Sequence, residues 1–320
     1  MKITILDDYQ DIVRQLACYS ILNNQNVQIL NYTEKNTKLL AQKLNDTNIL
    51  VLTRERTEVN EELLIMLPNL KLISQTGKVS NHLDLQACTK FKVAVAEGIG
   101  SPIAPSELAW ALLMNTVRQI PQSIEAMKNG NWQNNVGTGI LGKTIGIWGY
   151  GKIGQRIAQF AKVFGARVII WGSEESREKG AKDGFEKADT KEMFFKSADI
   201  VTLHLRLNEH TIGIVKETDL MNMKTNSTLI NTARAELIEK GALLKSLKKG
   251  KPTYAGIDVY ESEPIYDKQY ELLSIPNVVC TPHLGYVEQN SYELYFGKAF
   301  ENVINFLSGN PTNIINPEVL

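Results

Sequence analysis

Short apolar runs alternate with longer stretches of mixed polarity along almost the whole chain. The longer stretches repeat apolar residues at helical spacing, as Thr37–Leu44, Asn60–Leu67 and Pro105–Arg118 do. This alternation is typical of βαβ units, in which parallel strands are joined by helices. The apolar runs are Ile3–Leu6, Val27–Leu30, Ile49–Leu52, Leu72–Ser74, Val93–Ala96, Thr144–Trp148, Val168–Trp171, Ile200–Leu203, Thr228–Ile230, Tyr254–Ile257 and Val278–Cys280.

The runs form two series, one within the first hundred residues and one that begins at Thr144. Two series predict two parallel sheets, and therefore an α/β fold with two Rossmann-like domains. A boundary is predicted near Gly98–Pro102, where small residues and a proline cluster. The last helical stretch, Tyr286–Leu307, comes after the second series is complete. A length of 320 residues agrees with two domains of ordinary size.

Composition and charge narrow the range of partners. Lys and Arg together number 35, as do Asp and Glu, so there is no electrostatic case for nucleic acid or for an anionic membrane. No apolar segment approaches the roughly 18 residues of a membrane span, and the apolar start of the chain is too short for a signal peptide. Cys18, Cys88 and Cys280 are too far apart for a metal site or a disulfide framework, so a cytoplasmic location without metal is expected.

A glycine-rich motif opens the second series. It stands directly after the run Thr144–Trp148 and before the helical stretch Gln155–Phe164. In that context the motif predicts a dinucleotide site, because its glycines allow a tight turn and bring the pyrophosphate close to a helix N-terminus. The candidate cofactor contacts in the motif are Gly149, Tyr150, Gly151, Lys152, Ile153 and Gly154.

Gly172 directly follows the next strand-like run, at the position where proteins that bind NAD usually carry an acid. Ser173 and Arg177 follow, and both suit the 2′-phosphate of NADP. Glu174 or Glu175 suits the ribose hydroxyls of NAD instead. The cofactor is therefore predicted to be NAD(H) or NADP(H), with NADPH used at least as well as NADH.

Three later segments each carry one chemically apt side chain: Arg234, Glu263 and His283. A guanidinium can bind a carboxylate through two parallel hydrogen bonds, and an imidazole can transfer a proton near neutral pH. A carboxylate can orient that imidazole and stabilise its charged form. Together these groups suit the oxidation of a 2-hydroxy acid. Glu261 is the competing carboxylate within its segment.

With the glycine-rich motif, these segments resemble the D-isomer-specific 2-hydroxyacid dehydrogenases in order and spacing. The resemblance runs from about Ile49 to Gly309. It implies a formate/glycerate dehydrogenase-type architecture, with residues 1–100 and 292–320 as the substrate-binding domain and residues 101–291 as the dinucleotide-binding domain. It also implies an NAD(P)-dependent enzyme that interconverts a D-2-hydroxy acid and its 2-keto acid, acting as a homodimer.

The resemblance assigns roles residue by residue. His283 would be the general acid/base, Glu263 would orient it, and Arg234 would bind the substrate carboxylate. The first domain would contribute substrate contacts at Arg54, Gly77, Lys78 and Val79, of which Lys78 and Val79 act through their backbone N–H groups. Further cofactor contacts are expected at His204, Thr232, Ala233, Asp258 and Gly285.

Besides Gly172, three positions depart from the family pattern. Gln75 stands where phosphoglycerate dehydrogenases commonly carry arginine, which weakens the case for a phosphorylated substrate. Val79 replaces the second glycine of its segment, and Arg206 replaces a usual proline, with a role left open. The sequence does not name the 2-hydroxy acid or the physiological direction. The alternative function is a dinucleotide-sensing regulatory protein of the corepressor kind, built on the same fold.

Overall fold

The computed structural model describes every residue from Met1 to Leu320, and the chain divides into two compact units. The first unit comprises Met1–Ser101 and Glu288–Leu320, and the second comprises Pro102–Val287. The boundaries inferred from the sequence lay after residues 100 and 291, against 101 and 287 in the structure.

The secondary structure alternates between strands and helices in both units. The strands are β1 (Lys2–Ile5), β2 (Asn26–Ile29), β3 (Ile49–Leu52), β4 (Leu72–Gln75), β5 (Ala94–Ala96), β6 (Thr144–Trp148), β7 (Arg167–Trp171), β8 (Glu186–Lys187), β9 (Ile200–Leu203), β10 (Thr228–Asn231), β11 (Tyr254–Ile257) and β12 (Val278–Cys280). The α-helices are α1 (Thr37–Leu44), α2 (Glu61–Ile65), α3 (Leu85–Lys90), α4 (Ile103–Arg118), α5 (Ile120–Lys128), α6 (Lys152–Val163), α7 (Glu174–Lys182), α8 (Lys191–Ser197), α9 (Glu217–Met221), α10 (Ala242–Lys248) and α11 (Gln289–Leu307).

The first unit is built on a five-stranded parallel sheet in the order β2-β1-β3-β4-β5. Every residue of β3, β4 and β5 is buried, as expected for parallel strands covered on both faces. Helix α11 packs on this sheet: the hydroxyl of Ser74 donates a hydrogen bond of 2.9 Å to the carbonyl of Ala299, and Phe296 and Phe300 are buried. Burying one such aromatic side chain contributes about 1.5–3 kcal/mol to folding.

The second unit contains a seven-stranded parallel sheet in the order β12-β11-β10-β9-β6-β7-β8. From β6 the chain builds outward through β7 and β8, and from β9 it builds outward in the opposite direction. The order therefore reverses between β6 and β9. In open α/β sheets, ligands bind beyond the carboxyl ends of the strands at such a reversal.

The α/β fold with two parallel sheets is confirmed, and each predicted apolar run falls on an observed strand. The short edge strand β8 was not predicted, because its two exposed residues form no apolar run. Helix α6 begins at Lys152, earlier than the predicted Gln155, because Gly151 provides the N-cap inside the glycine-rich motif. None of the helices combines the length and apolar character that crossing a membrane requires.

Candidate active site

The glycine-rich motif forms the turn between β6 and α6. Gly149 has a φ of +100°, and a Cβ atom there would stand 2.6 Å from the carbonyl oxygen of His204. A Cβ atom on Gly154 would stand 2.0 Å from the carbonyl oxygen of Gly149. These two positions therefore require glycine, one for its backbone conformation and both for close packing.

Gly151 differs from the other two glycines of the motif. It is the N-cap of α6, and a Cβ atom there would meet no atom within 4 Å. Open space therefore lies directly at the N-terminus of a 12-residue helix, where backbone N–H groups and the helix dipole favour an anion. This cradle fits the pyrophosphate of a dinucleotide.

The three other motif side chains, those of Tyr150, Lys152 and Ile153, differ in how deeply they are buried. The side chain of Tyr150 is buried, and its hydroxyl donates a hydrogen bond of 2.8 Å to Asp183, so only its backbone belongs to the loop. Burial raises the pKa of Tyr150 above its ordinary value. Lys152 is exposed on the first turn of α6, whereas Ile153 packs against the core of the second unit.

His204 follows β9 on the other side of the strand-order reversal. Its Nε2 atom lies 2.9 Å from the hydroxyl oxygen of Thr202. Burial lowers the pKa of His204 to about 4, so the imidazole is neutral at neutral pH. Because the carbonyl group of His204 packs against Gly149, the loops after β6 and β9 lie side by side.

The end of β7 carries no acid, in agreement with the sequence. Gly172 has a φ of +151°, so a side chain at this position is strained. The Ser173 hydroxyl caps α7 by accepting a 3.2 Å hydrogen bond from the N–H of Ser176. The guanidinium of Arg177 lies 5.0 Å from the ring centre of Trp171 and donates to the carbonyl of Ala188 at 3.5 Å. Arg177 is thus oriented by contacts within the second unit.

His283 and Glu263 form the central pair of the site. Nδ1 of His283 lies 2.6 Å from Oε2 of Glu263, and the two side chains are 29% and 31% exposed. Oε1 of Glu263 accepts a 2.9 Å hydrogen bond from the backbone N–H of Tyr260, which fixes the carboxylate. Glu261, the competing carboxylate, is exposed and lines a groove of about 410 Å³ with Tyr270. The geometry therefore pairs His283 with Glu263 rather than with Glu261.

Asp258 holds the loop that carries His283. Its Oδ1 accepts hydrogen bonds from the hydroxyl of Thr281 at 2.7 Å and from the N–H of Leu284 at 2.8 Å. Its Oδ2 accepts a 3.0 Å hydrogen bond from the N–H of Gly285. Burial raises the pKa of Asp258, while these bonds and the nearby His283 act in the opposite direction. His283 has a φ of +52°, and the bonds to its neighbours stabilise this uncommon conformation.

The Arg234 loop is stiffened by its own hydrogen bonds. The side chain of Asn231 accepts from the N–H of Ala233 at 3.1 Å and donates to the carbonyl of Arg234 at 2.9 Å. Nη1 of Arg234 donates to the carbonyl of Ala233 at 2.6 Å. Thr232 lies half-buried within this turn. Asn231 was not among the predicted site residues, although its position at the end of β10 was a usable signal.

In the first unit, Arg54 and Gly77 lie together beyond the ends of β3 and β4. A Cβ atom on Gly77 would stand 1.9 Å from Nη1 of Arg54, so the guanidinium covers this glycine. The guanidinium carbon also lies 5.5 Å from the ring centre of Tyr295. Gln75 is buried and donates to the carbonyl of Arg54 at 2.8 Å, while its side-chain oxygen lies 3.3 Å from Nε2 of His82.

Glu97, which was not among the predicted site residues, contacts the segment after Gly77. The N–H of Val79, expected to bind a substrate carboxylate, donates a 2.9 Å hydrogen bond to Oε1 of Glu97. The other oxygen of Glu97 is paired with the ammonium group of Lys78. Glu97 directly follows β5, so an acid at the carboxyl end of a strand was the available signal. Arg206, whose role was left open, is exposed.

No group of three or more His, Cys, Asp or Glu side chains is arranged to hold a metal ion. A cradle shaped for a dinucleotide and an imidazole held by a carboxylate are the parts that a hydride-transferring enzyme needs from its protein. The class of protein that fold and site define is therefore a dinucleotide-dependent dehydrogenase.

Comparison with known proteins specifies the family. Residues 110–285 match the model of the D-isomer specific 2-hydroxyacid dehydrogenase, NAD binding domain. The chain belongs to this family, and it is an NAD-dependent oxidoreductase that acts on CH–OH groups.

Relatives and solved structures agree with this assignment. A glyoxylate reductase from Thermococcus litoralis is 34% identical over 293 residues, which cover 88% of this chain and 87% of that protein. A crystal structure of an oxidoreductase from Ralstonia solanacearum, named as a D-3-phosphoglycerate dehydrogenase, superposes with a TM-score of 0.98 at 46% identity. The match covers 100% of this chain and 98% of the other. A phosphoglycerate oxidoreductase from Vibrio cholerae O395 gives a TM-score of 0.94 at 51% identity, covering 97% and 99%.

Coverage differs between the relatives. The match to the D-3-phosphoglycerate dehydrogenase of Methanocaldococcus jannaschii is 33% identical and covers 83% of this chain. It spans only 53% of the length of that enzyme. The glyoxylate reductase of Thermococcus litoralis is instead matched over most of its length.

Proposed function

We propose that this protein reduces small, unphosphorylated 2-keto acids to 2-hydroxy acids, of D configuration where the product is chiral, with glyoxylate and hydroxypyruvate as representative substrates. The observation that carries the proposal is the 2.6 Å contact between His283 Nδ1 and Glu263 Oε2. Because Nδ1 faces the carboxylate, Nε2 is the imidazole nitrogen left to exchange a proton with a substrate oxygen.

The chain's own residues divide the chemistry among them. His283, charged and stabilised by Glu263, donates the proton from Nε2 to the keto oxygen as that oxygen gains negative charge. Arg234 binds the substrate carboxylate and orients the keto carbon. Asp258 positions His283 through the N–H groups of Leu284 and Gly285. A bound nicotinamide dinucleotide supplies the hydride.

The residues proposed to hold the dinucleotide come from loops of the second unit. Gly151 offers the open N-terminus of α6, and the loop of His204 adjoins it across the strand-order reversal. Thr232, Ala233 and Gly285 are the remaining candidates, although the N–H groups of Ala233 and Gly285 already donate to Asn231 and Asp258. Because no acid stands at Gly172 to repel a 2′-phosphate, we propose that NADPH is accepted alongside NADH, with Ser173 and Arg177 beside the phosphate.

Phosphoglycerate oxidation is a second candidate, favoured by the 51% identity to the Vibrio cholerae phosphoglycerate oxidoreductase. Two observations favour the unphosphorylated substrates instead. The neutral amide of Gln75 is buried and held by Arg54 and His82, so it offers no charge to a phosphate. The Thermococcus litoralis relative, matched over 87% of its length, is a glyoxylate reductase.

We also propose that the protein is a homodimer. Ile120, Ile124 and Met127 share one face of α5 and are 39%, 51% and 65% exposed. Trp132 and Val136 follow them and are 76% and 93% exposed. Such a run of exposed apolar side chains is typical of an interface between subunits. Sedimentation velocity tests the proposal, since replacing Trp132 and Val136 with serine should shift a dimer toward monomer.

A substrate screen of the purified protein tests the reaction. Oxidation of NADH and of NADPH is followed with glyoxylate, hydroxypyruvate, pyruvate, 2-ketobutyrate and 3-phosphohydroxypyruvate. The proposal expects the highest kcat/KM with an unphosphorylated acid. A clear preference for the phosphorylated acid would instead support the second candidate. Binding of dinucleotide without turnover of any acid would favour the regulatory alternative.

A further inference from the structure

A carboxylate of the protein itself occupies part of the loop that follows β4. Glu97 accepts a hydrogen bond from the N–H of Val79 through one oxygen and pairs with the ammonium of Lys78 through the other. The Glu97 side chain is 20% exposed, whereas that of Lys78 is 65% exposed. Glu97 is therefore the more buried partner, held between backbone and ammonium.

The backbone holds Glu97 in place. The N–H of Gly98 donates a 2.8 Å hydrogen bond to the carbonyl of Gly77. A Cβ atom on Gly98 would stand 2.4 Å from the carbonyl oxygen of Gln75. The loops after β4 and β5 are therefore packed backbone to backbone, and Glu97 has little freedom to leave.

This arrangement changes the charge that the loop presents to an anionic substrate. Val79 and Lys78 are a backbone donor and a cation, the two kinds of group that bind carboxylates and phosphates. Glu97 uses the first and neutralises the second. Lys78 is therefore not available to the second anionic group of a substrate, although the cation of Arg54 remains. Glu97 also repels that second anionic group.

We infer that Glu97 is a specificity-determining residue that restricts the enzyme to 2-keto acids with a single anionic group and discriminates against phosphorylated ones. The inference rests on the proposed function, because it assigns the loop of Lys78 and Val79 to the substrate. Gln75 acts in the same direction by placing a neutral amide, rather than a cation, next to Arg54.

The test compares matched substrates in Glu97→Gln, which keeps the size of the side chain and removes its charge. The substrates are hydroxypyruvate and 3-phosphohydroxypyruvate, which differ only by the phosphate. The ratio of kcat/KM, phosphorylated over unphosphorylated, should rise about tenfold or more, because the repulsion is removed and Lys78 is released. Glu58→Gln, a change of an exposed acid in the same unit, should leave the ratio unchanged.

A second variant separates the two parts of the effect. Adding Lys78→Met to Glu97→Gln removes the released cation, so the ratio should fall back toward that of the wild type. An unchanged ratio in Glu97→Gln overturns the inference. A wild type that already prefers the phosphorylated acid also overturns it.

A binding measurement makes the inference independent of turnover. Calorimetric titration with D-glycerate and with 3-phosphoglycerate, in the presence of NADH, which cannot accept hydride from a hydroxy acid, should show tighter binding of the phosphorylated acid to Glu97→Gln than to the wild type. Failure of the proposed function appears in the wild type itself, as no turnover with any keto acid or as a preference for the phosphorylated one, and it overturns the inference as well. Failure of the inference appears as equal affinities of the two proteins for 3-phosphoglycerate.

Discussion

Two glycine-containing loops, one in each unit, follow a buried parallel strand and differ in what fills them. In the second unit, the loop after β6 leaves open space at Gly151. In the first unit, the loop after β4 is filled by the protein itself, since Arg54 covers Gly77 and Glu97 binds the N–H of Val79. The carboxyl end of a parallel strand therefore does not define an open anion site by itself.

The difference suggests that the loops of the two units have separate roles. The loops at the larger sheet expose backbone donors and orient His283, which suits cofactor binding and proton transfer. The loop at the smaller sheet has its charges already paired, which suits selection among substrates rather than strong binding of any anion.

The largest effect is expected from His283→Ala, which removes the group that transfers the proton. We expect kcat to fall by a factor on the order of 10² or more, with the affinity for NADH little changed. In contrast, His82→Ala in the first unit should lower kcat by less than about tenfold, because that imidazole contacts Gln75 and is not proposed to transfer a proton. Steady-state kinetics with glyoxylate measure kcat of both variants. Comparable losses of kcat in the two would contradict the assignment of proton transfer to His283.

Filling the open loop should act on cofactor binding alone. In Gly151→Val the new side chain enters space that holds no protein atom, so thermal stability should stay near that of the wild type. We expect the Kd for NADH to rise about tenfold or more, because the side chain enters the space proposed for the pyrophosphate. Fluorescence titration measures the Kd.

Gly139→Val is the matched control for that change, since a Cβ atom at Gly139 also meets nothing within 4 Å. It should leave both Tm and the Kd for NADH unchanged. Equal cofactor affinity in the two variants would remove Gly151 from the dinucleotide site.

A smaller effect is expected from Glu263→Gln. The amide cannot stabilise a charged imidazole as a carboxylate does, so the midpoint of the rate–pH profile should move to lower pH. We expect kcat at neutral pH to fall about tenfold as well. Glu261→Gln is the control and should give a profile that superimposes on that of the wild type. The reverse outcome would identify Glu261 as the partner of His283.

The smallest effect concerns stability, through His204. Its pKa is about 4 in the folded protein, against about 6.5 in the unfolded chain. Between these values only the unfolded chain binds the proton, so this contribution to stability is complete above pH 6.5 and is lost as the pH falls toward 4. His204→Gln should therefore flatten the decline in the free energy of unfolding between pH 7 and pH 5, by about 1–2 kcal/mol.

Urea unfolding at several pH values measures that slope, and His210→Gln, at an exposed histidine, serves as the control. A decline as steep in His204→Gln as in the wild type would mean that His204 binds its proton at the same pH in the folded protein as in the unfolded chain.

The sequence predicted the strands well and the loop contacts poorly. Eleven apolar runs marked eleven strands, because buried parallel strands are apolar at nearly every position. The edge strand β8 escaped because its residues, Glu186 and Lys187, are exposed. For the candidate site, the residue types of Arg234, Glu263 and His283 were readable from the chain, and the family resemblance favoured Glu263 over Glu261. The 2.6 Å contact between Glu263 and His283 came from the structure.

By itself, the sequence determined the two parallel sheets, the position of the glycine-rich turn and the chemistry of the three candidate catalytic side chains. These properties follow from local periodicity and from residue type. Only the tertiary structure decided that α11 packs on the first sheet through Ser74 and Ala299, and that Glu97 fills the loop of Val79. Such contacts join residues far apart along the chain, and they depend on how strands and helices pack, which no local pattern records.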